Sequence, residues 1–261
     1  MKNIGKILPF LIVAAFLLAG SAMAENITIY DNRVSGTGTN WYNMGNNPGE
    51  DQEVEPGMVT GQAWDLEGFF LDGAILTMVG GFNFVNGYEY NSVTYKSGDI
   101  FIDVNGDATY GDAIGTTLKN GYDYVFDINW GSNTWELYDL NLQNVPIGWL
   151  SDVKSYNSFM SSPWQFTRNS QLEGIWYKAK GTWSSLPNVI DAQGDTHYTV
   201  TGFDLSSLLA DQDLTFTSHF TMECGNDNLM GRATIPEPAN MLLFGSALIG
   251  LAGIGRKKIF K

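Results

Sequence analysis

The chain of 261 residues carries one continuous apolar segment near each end, and these two segments confine any globular domain to the residues between them. The first segment, residues 7–20, follows two lysines and precedes the small residues Ala22 and Ala24. A basic start, a short apolar stretch and small residues at the cleavage point are the three parts of an export signal. The sequence therefore predicts a signal peptide over residues 1–24, cleaved after Ala24 by a signal peptidase.

The second apolar segment is Ala239–Gly255, which is polar only at Asn240 and Ser246. A helix of its 17 residues is roughly 25 Å long, against a hydrocarbon core of about 30 Å, so it spans a bilayer marginally. We therefore expect a transmembrane helix over residues 239–255. The basic residues that follow it are expected to stay on the cytoplasmic side. They are Arg256, Lys257 and Lys258.

The triplet Pro236, Glu237 and Pro238 stands directly before this segment. The two prolines break any helix there and leave Glu237 on an extended, accessible stretch. A Pro-Glu-Pro triplet, a short apolar helix and a basic tail, in this order over residues 236–261, resemble the PEP-CTERM sorting signal of Gram-negative bacteria. The stretch 219–227, which contains Cys-Gly-Asn-Asp, is more loosely similar to the segment that often ends the body of such proteins.

This resemblance implies recognition by an exosortase, a membrane transpeptidase-like enzyme, and cleavage near the triplet. It also implies release or transfer to the cell surface, and association with exopolysaccharide and the biofilm matrix. The chain is then expected to be exported through the inner membrane and anchored there transiently before it reaches its destination.

The body between the two ends, residues 25–235, is strongly acidic. It contains eight Lys and Arg against 27 Asp and Glu, a net charge of about −19. So negative a domain repels phosphate backbones, and nucleic acid is therefore excluded as a partner. The eight tryptophans and an aromatic content of 13% indicate a folded domain rather than a disordered one.

Short strand-like patches recur through this body, and helical periodicity does not extend beyond a turn or two. Gly131-Ser132-Asn133 separates two such patches as a hairpin turn would. The predicted fold is a single all-β domain, an antiparallel sandwich of the jelly-roll type. The patches lie at 66–79, 99–104, 122–130, 134–140, 174–180, 197–203 and 214–222.

Asp103, Asn105 and Asp107 have the spacing that begins a calcium loop, because alternating oxygen ligands around a glycine turn suit Ca²⁺. The twelfth position of such a loop is Ile114, which cannot ligate a metal; Asp99 and Asp112 could complete a site instead. The alternative is that Asn105-Gly106 is a plain turn after a strand. The sequence leaves both interpretations open.

The tryptophans suggest a carbohydrate site, since sugar rings stack on exposed aromatic faces. Most of them are expected to fill the core. Trp41, in a polar loop, and Trp164, after Pro163, are the two for which we expect an exposed ring.

Signals for catalysis are few. The two histidines, His197 and His219, have no zinc-type spacing, and His219 is expected to face solvent or a polar neighbour. Cys224 is expected to be a small buried residue rather than a nucleophile. A pair of carboxylates could cleave a glycoside, and Asp65 with Glu67, or Glu136, are the residues to consider.

The sequence favours an exported, non-catalytic surface or matrix protein. A calcium-dependent carbohydrate-binding module is the alternative function, and a glycoside-active enzyme is the third.

Overall fold

In the residues that it describes, the computed structural model of the chain consists mainly of antiparallel β-strands, which confirms the all-β prediction. It describes residues 24–29, 54, 58–108, 121–140, 161, 163–166, 177–191, 193–209 and 213–236. The predicted helices of the signal peptide and of the tail lie outside these residues. The described strands are β1 (Glu25–Asn26), β2 (Leu66–Asp72), β3 (Ile75–Gly80), β4 (Tyr88–Tyr90), β5 (Val93–Tyr95), β6 (Ile100–Asp103), β7 (Tyr124–Asn129), β8 (Thr134–Asp139), β9 (Tyr177–Thr182), β10 (Ser184–Ile190), β11 (Thr196–Asp204), β12 (Leu214–Thr221) and β13 (Asn228–Ile235).

These strands form two large sheets and one small hairpin. The first sheet has the order β1-β2-β3-β11-β10, and the second has the order β13-β12-β6-β7-β8-β9. Strands β4 and β5 pair only with each other among the described strands. At one side of the molecule the chain passes directly from β9, an edge of the second sheet, to β10, an edge of the first, through the buried Trp183.

Several predicted patches are confirmed as strands. In these patches the sequence contains both the apolar residues of the strands and the residues that form the turn between them. The β7–β8 hairpin turns where Asn129 Oδ1 accepts hydrogen bonds from the N–H groups of Gly131, at 3.1 Å, and Ser132, at 3.0 Å. Asn133 takes a positive φ of 57°, which asparagine tolerates. The patch at 66–79 is two strands, β2 and β3, that reverse at Gly73.

Strands β10 and β13 were not among the predicted patches. Every residue of β10 is exposed, so its sequence, Ser-Ser-Leu-Pro-Asn-Val-Ile, shows no alternation of buried and exposed positions. Its proline is typical of an edge strand, and β10 is indeed an edge of the first sheet. Strand β13 contains Gly231 and Arg232 in its middle, and these two residues interrupt the apolar pattern by which a strand is predicted from sequence.

One core cluster takes side chains from both large sheets. The first sheet contributes residues such as Phe69, Met78 and Phe203, and the second contributes residues such as Phe126 and Phe216. A smaller cluster covers the opposite face of the second sheet. Its members are Phe101, Tyr122, Val125, Tyr138, Leu140 and Phe166. The middle of the second sheet is therefore buried on both faces, which a simple alternation of apolar and polar residues does not predict.

Residues 25–29 connect the two sheets along one side. Asn26 pairs with β2, and Thr28 forms an antiparallel bridge with Gly231 of β13. The Arg232 N–H donates to the Ile27 carbonyl at 2.8 Å. Gly231 is needed here, because a Cβ atom at that position would lie 2.9 Å from Cβ of Phe69.

The stretch Cys224–Asp227, which carries the looser resemblance, is a structural connection between β12 and β13. Gly225 has a φ of 59° and turns the chain. The Asn226 side chain accepts from the Val59 N–H at 3.0 Å and donates to the Val59 carbonyl at 2.7 Å. Asp227 accepts the Leu66 N–H through Oδ2. These contacts anchor the segment that leads into the first sheet.

Candidate functional site

Both predicted processing points lie at one end of the folded body. Because the Thr28–Gly231 bridge is antiparallel, Ala24 and Ile235 lie at the same end of the two paired segments. Ile235 is buried as the last residue of β13, and Pro236 directly after it is exposed. The last described strand therefore ends directly before the Pro-Glu-Pro triplet.

Most residues of the two sorting segments lie outside the described part of the chain. These are Ala22, Glu237, Pro238, Arg256, Lys257, Lys258 and the apolar stretch 239–255. Within the described residues, no helix has the length and hydropathy needed to cross a bilayer. Ala24 is half-buried and stands immediately before β1.

The residues of the calcium interpretation form a tight turn after β6. The Asp103 carboxylate accepts the N–H groups of Asn105 at 2.9 Å, Gly106 at 2.7 Å and Ala108 at 3.2 Å. Asn105 in turn accepts the Asp107 N–H at 2.9 Å and donates to Asp123 at 3.1 Å. In the described ranges, no three His, Cys, Asp or Glu side chains are placed to hold a metal. The plain-turn alternative accounts for these contacts.

Asp99 does not complete a cation site with this turn. Asp99 and Asp112 were the two further ligands considered from the sequence, so the prediction is corrected for Asp99. It precedes Asp103 by four residues along an extended strand, a separation of about 13 Å. Its carboxylate accepts the N–H groups of Ile128 and Phe166, both at 2.8 Å. Asp112, the other completing residue, lies outside the described residues.

Asp103→Ala is expected to lower the free energy of unfolding by about 1–3 kcal/mol, because three backbone N–H groups lose a charged acceptor. The loss should be the same in EDTA and in millimolar CaCl₂, as measured by urea unfolding. Asp107→Ala is the matched control, since the Asp107 side chain is exposed, and it should change little. A melting temperature that rises with added CaCl₂ in the native chain and not in Asp103→Ala would instead support the calcium interpretation.

Trp164 is only 8% exposed, so the expectation of an exposed ring is wrong for this residue. Residues 163–166 cross the outer face of the second sheet, where the Asp99 N–H donates to the Trp164 carbonyl at 2.9 Å. Gly98 leaves room for the indole, because a Cβ atom there would lie 2.5 Å from Cδ1 of Trp164. Trp41, the other nominated tryptophan, lies outside the described residues.

Trp164 nevertheless lines a pocket of about 310 Å³, which we call the tryptophan pocket. A second indole, that of the half-buried Trp130, lines the same pocket. The full lining comprises Phe84, Val85, Asn86, Gly87, Lys96, Ser97, Trp130, Trp164, Gln165 and Glu223. These residues come from five separate stretches of sequence, so no sequence motif indicates the pocket, and sequence reasoning missed every member except Trp164.

A second, more open groove of about 460 Å³ lies beside β7, β8 and β9. Asp127, Glu136 and Lys180 line it, and Glu136 is the cross-strand partner of both other residues. Side chains in such register share one face of a sheet. The Tyr138 hydroxyl donates to Oε2 of Glu136. Glu136, considered from the sequence as a catalytic carboxylate, thus has a second carboxylate and an ammonium group as neighbours.

Asp65 and Glu67, the other carboxylates considered, are fully buried, so they cannot face a substrate in this structure. Glu67 contacts His197, whose Nδ1 lies 2.6 Å from Oε1 and 2.8 Å from Oε2. On the other side of the ring, Nε2 of His197 lies 3.6 Å from Oδ2 of Asp191. This buried cluster joins β2 to the β10–β11 hairpin, and its role is structural.

His219 is also fully buried, so of the two expected environments, solvent or a polar neighbour, the structure shows the second. Its Nε2 lies 2.9 Å from the Pro163 carbonyl and its Nδ1 lies 3.2 Å from Sδ of Met230. Burial lowers the pKa of His219 to about 4, which the hydrogen bond to Pro163 only partly opposes. The imidazole is therefore neutral at pH 7.

Cys224 is a free, half-buried thiol. Burial raises its pKa to about 12, with the nearby carboxylates of Glu223 and Asp227 acting in the same direction. The thiol stays protonated at neutral pH, and a protonated thiol is a poor nucleophile.

Comparison with known protein families, with curated proteins and with solved structures found no match to this chain.

Proposed function

We propose that this chain is exported, cleaved after Ala24, and sorted through an exosortase to the cell surface or the extracellular matrix, where its acidic body acts without catalysis. The body in this proposal is an antiparallel β-sandwich of the jelly-roll type, which the shared core cluster of the two sheets supports. The sorting part rests on Pro236-Glu237-Pro238, the apolar stretch after it and the basic tail.

The observation that carries the proposal is the position of the triplet directly after the last strand. Three extended residues cover about 10 Å, so the triplet would hold this end of the body close to a membrane that contained residues 239–255. A cut within the triplet would leave every described strand intact, because β13 ends at Ile235. The position of Ala24 and Ile235 at the same end allows the body to fold while both apolar segments are in the same bilayer.

The chemistry of the body supports a structural or binding role. Both histidines are buried, and the one thiol is protonated at neutral pH. Glu67, which could have served as a general acid, is held against His197. A net charge of about −19 keeps such a body soluble and apart from other acidic surfaces.

Intact-mass spectrometry of the full chain, produced in a Gram-negative host that has an exosortase, tests this proposal. We expect a mature protein that begins at Glu25 and ends near the triplet. The same host without the exosortase should retain residues 239–261 in the membrane fraction. Retention of these residues on all of the mature protein in the first host would contradict the sorting proposal.

Replacing Pro236, Glu237 and Pro238 together with alanine should also abolish C-terminal processing, while cleavage after Ala24 continues. Pro187→Ala is the matched control, because it removes an exposed proline from edge strand β10 and leaves the tail unchanged. Normal processing of the triple variant would show that the triplet is not the recognised element.

A further inference from the structure

We propose that the tryptophan pocket binds one unit of a neutral saccharide, a site that is independent of how the chain is sorted. The pocket combines two indole rings, an unsatisfied buried hydrogen-bond donor and a rim of amide and charged side chains.

The unsatisfied donor is Nε1 of Trp164. This atom is buried and has no hydrogen-bond partner among the residues that the structure describes. A buried donor without an acceptor costs about 1–3 kcal/mol, so native structures rarely leave one. Other polar groups of the lining have partners: Ser97 Oγ donates to the Phe84 carbonyl at 2.7 Å, and Trp130 Nε1 donates to the Gly98 carbonyl at 3.0 Å. The buried Trp164 N–H is therefore the lining group that a ligand oxygen would satisfy.

Trp130 supplies an aromatic surface that is held in position. Its Nε1 donates to the Gly98 carbonyl at 3.0 Å, and its ring stacks on Phe84 with centroids 6.3 Å apart and planes 18° apart. The ring stays half-exposed, although it also packs against Trp183. A fixed, partly exposed indole beside polar groups is suited to the apolar face of a sugar ring.

The rim offers both donors and acceptors. Asn86 and Lys96 are exposed, and Gln165 and Glu223 are half-buried. The Glu223 carboxylate accepts the Lys96 N–H at 3.2 Å, while the Glu223 N–H donates to the Lys96 carbonyl at 2.8 Å, so this part of the rim is fixed by two hydrogen bonds. Lys96 and Glu223 carry opposite charges, so the rim has no net charge. An uncharged rim suits a neutral polyhydroxyl ligand.

Size and charge restrict the ligand further. A volume of about 310 Å³ lies at the lower limit of small-ligand pockets, which run from about 300 to 1,000 Å³, and suits one ring rather than a long chain segment. The net charge of the body, about −19, opposes a uronic acid or a sulfated sugar. A hydroxyl group of a neutral sugar can accept the Trp164 N–H and donate to Glu223 or Gln165 at the same time.

Titration calorimetry of the full chain in detergent, with maltohexaose, cellohexaose and mannohexaose as neutral probes and polygalacturonate as the acidic probe, tests the inference. We expect at least one neutral probe to bind with a millimolar or lower Kd, and polygalacturonate to bind more weakly or not at all. Absence of binding by all three neutral probes at 10 mM would overturn the inference, as would a preference for polygalacturonate.

Two variants locate the site. Trp164→Phe removes the N–H and keeps most of the ring, and we expect the Kd to rise about three- to tenfold. Asn86→Ala, at an exposed rim position that leaves the core unchanged, should also weaken binding. Near-UV circular dichroism verifies that both variants keep the native fold.

Trp135→Phe is the matched control, because the Trp135 indole donates to the Gly202 carbonyl at 2.9 Å and lines the groove beside β7, β8 and β9 instead. It should leave the Kd unchanged. Binding that is lost in Trp135→Phe and unaffected in Trp164→Phe would place the sugar in that groove and overturn the assignment to the tryptophan pocket.

Discussion

His197→Ala is expected to lower the free energy of unfolding by about 3–5 kcal/mol, because it leaves a cavity in the core and removes the His197 hydrogen bond from the buried Glu67 side chain. The two side chains are both fully buried and meet at 2.6 Å. Removing one partner of a buried hydrogen bond costs more than the bond itself contributes, since the remaining polar group stays desolvated. Urea unfolding at pH 7, followed by tryptophan fluorescence, measures the change.

The effect should extend beyond one contact, because His197 joins separate elements. Gln62 also donates to Oε1 of Glu67, at 2.9 Å, and Asp191 caps the β10–β11 turn by accepting the Asp195 N–H at 2.8 Å. Although desolvation acts to raise it, the pKa of Asp191 is lowered, because backbone N–H groups and the nearby His197 favour its charged form. Loss of the imidazole therefore loosens the hairpin from β2.

Lys178→Ala is the control for this prediction. Lys178 forms an ion pair with Asp139 at 3.2 Å, but its side chain is 42% exposed. Such pairs contribute about 0–1 kcal/mol. Equal losses in His197→Ala and Lys178→Ala would show that the buried cluster does not stabilise the fold more than a surface pair does.

Acid is expected to destabilise the native chain through His219, by about 3 kcal/mol between pH 6.5 and pH 4. Burial lowers the pKa of His219 to about 4 in the folded state, whereas an unfolded histidine has a pKa of about 6.5. Above pH 6.5 both states are neutral and the residue contributes no pH dependence. Below it the unfolded state takes up a proton that the folded state does not, so stability falls as the pH falls towards 4.

His219→Gln isolates this contribution, because glutamine can still donate to the Pro163 carbonyl and does not titrate. Urea unfolding at pH 7 and pH 4 should show a smaller loss in the variant, with a difference of about 3 kcal/mol. The many carboxylates contribute equally to both proteins and cancel in the comparison. The same loss in both proteins would mean that His219 is protonated within the fold.

The sequence predicted strands that are rich in apolar residues, including β6, which is buried on both faces, and it missed β10, which is exposed on both. In β12, Leu214, Phe216 and Phe220 face the core as predicted, but His219 on the opposite face is covered by residues 163–166. Strand β10 is exposed on both faces, so it has no apolar periodicity to detect. Periodicity reports a difference between two faces, and neither strand shows that difference along its whole length.

The candidate sites also differ in whether the sequence could predict them. The turn at Asp103 could be anticipated, because the residues that form it are adjacent in the chain. The tryptophan pocket could not, since Trp130, Lys96 and Glu223 meet only after the second sheet has formed. Trp164 lines this pocket, but its ring was expected at the surface, while the structure places it inside the pocket wall.

By itself the sequence determined the all-β class and the strong negative charge of the body, because strand alternation and charge are local or additive properties of a chain. It also supplied the predicted processing signals on which the proposed export and sorting rest. Only the tertiary structure decided that Ala24 and Ile235 lie at one end of their paired segments, that both histidines are buried, and that two indoles share a pocket. Those features depend on contacts between residues far apart in sequence, which strand order and register create.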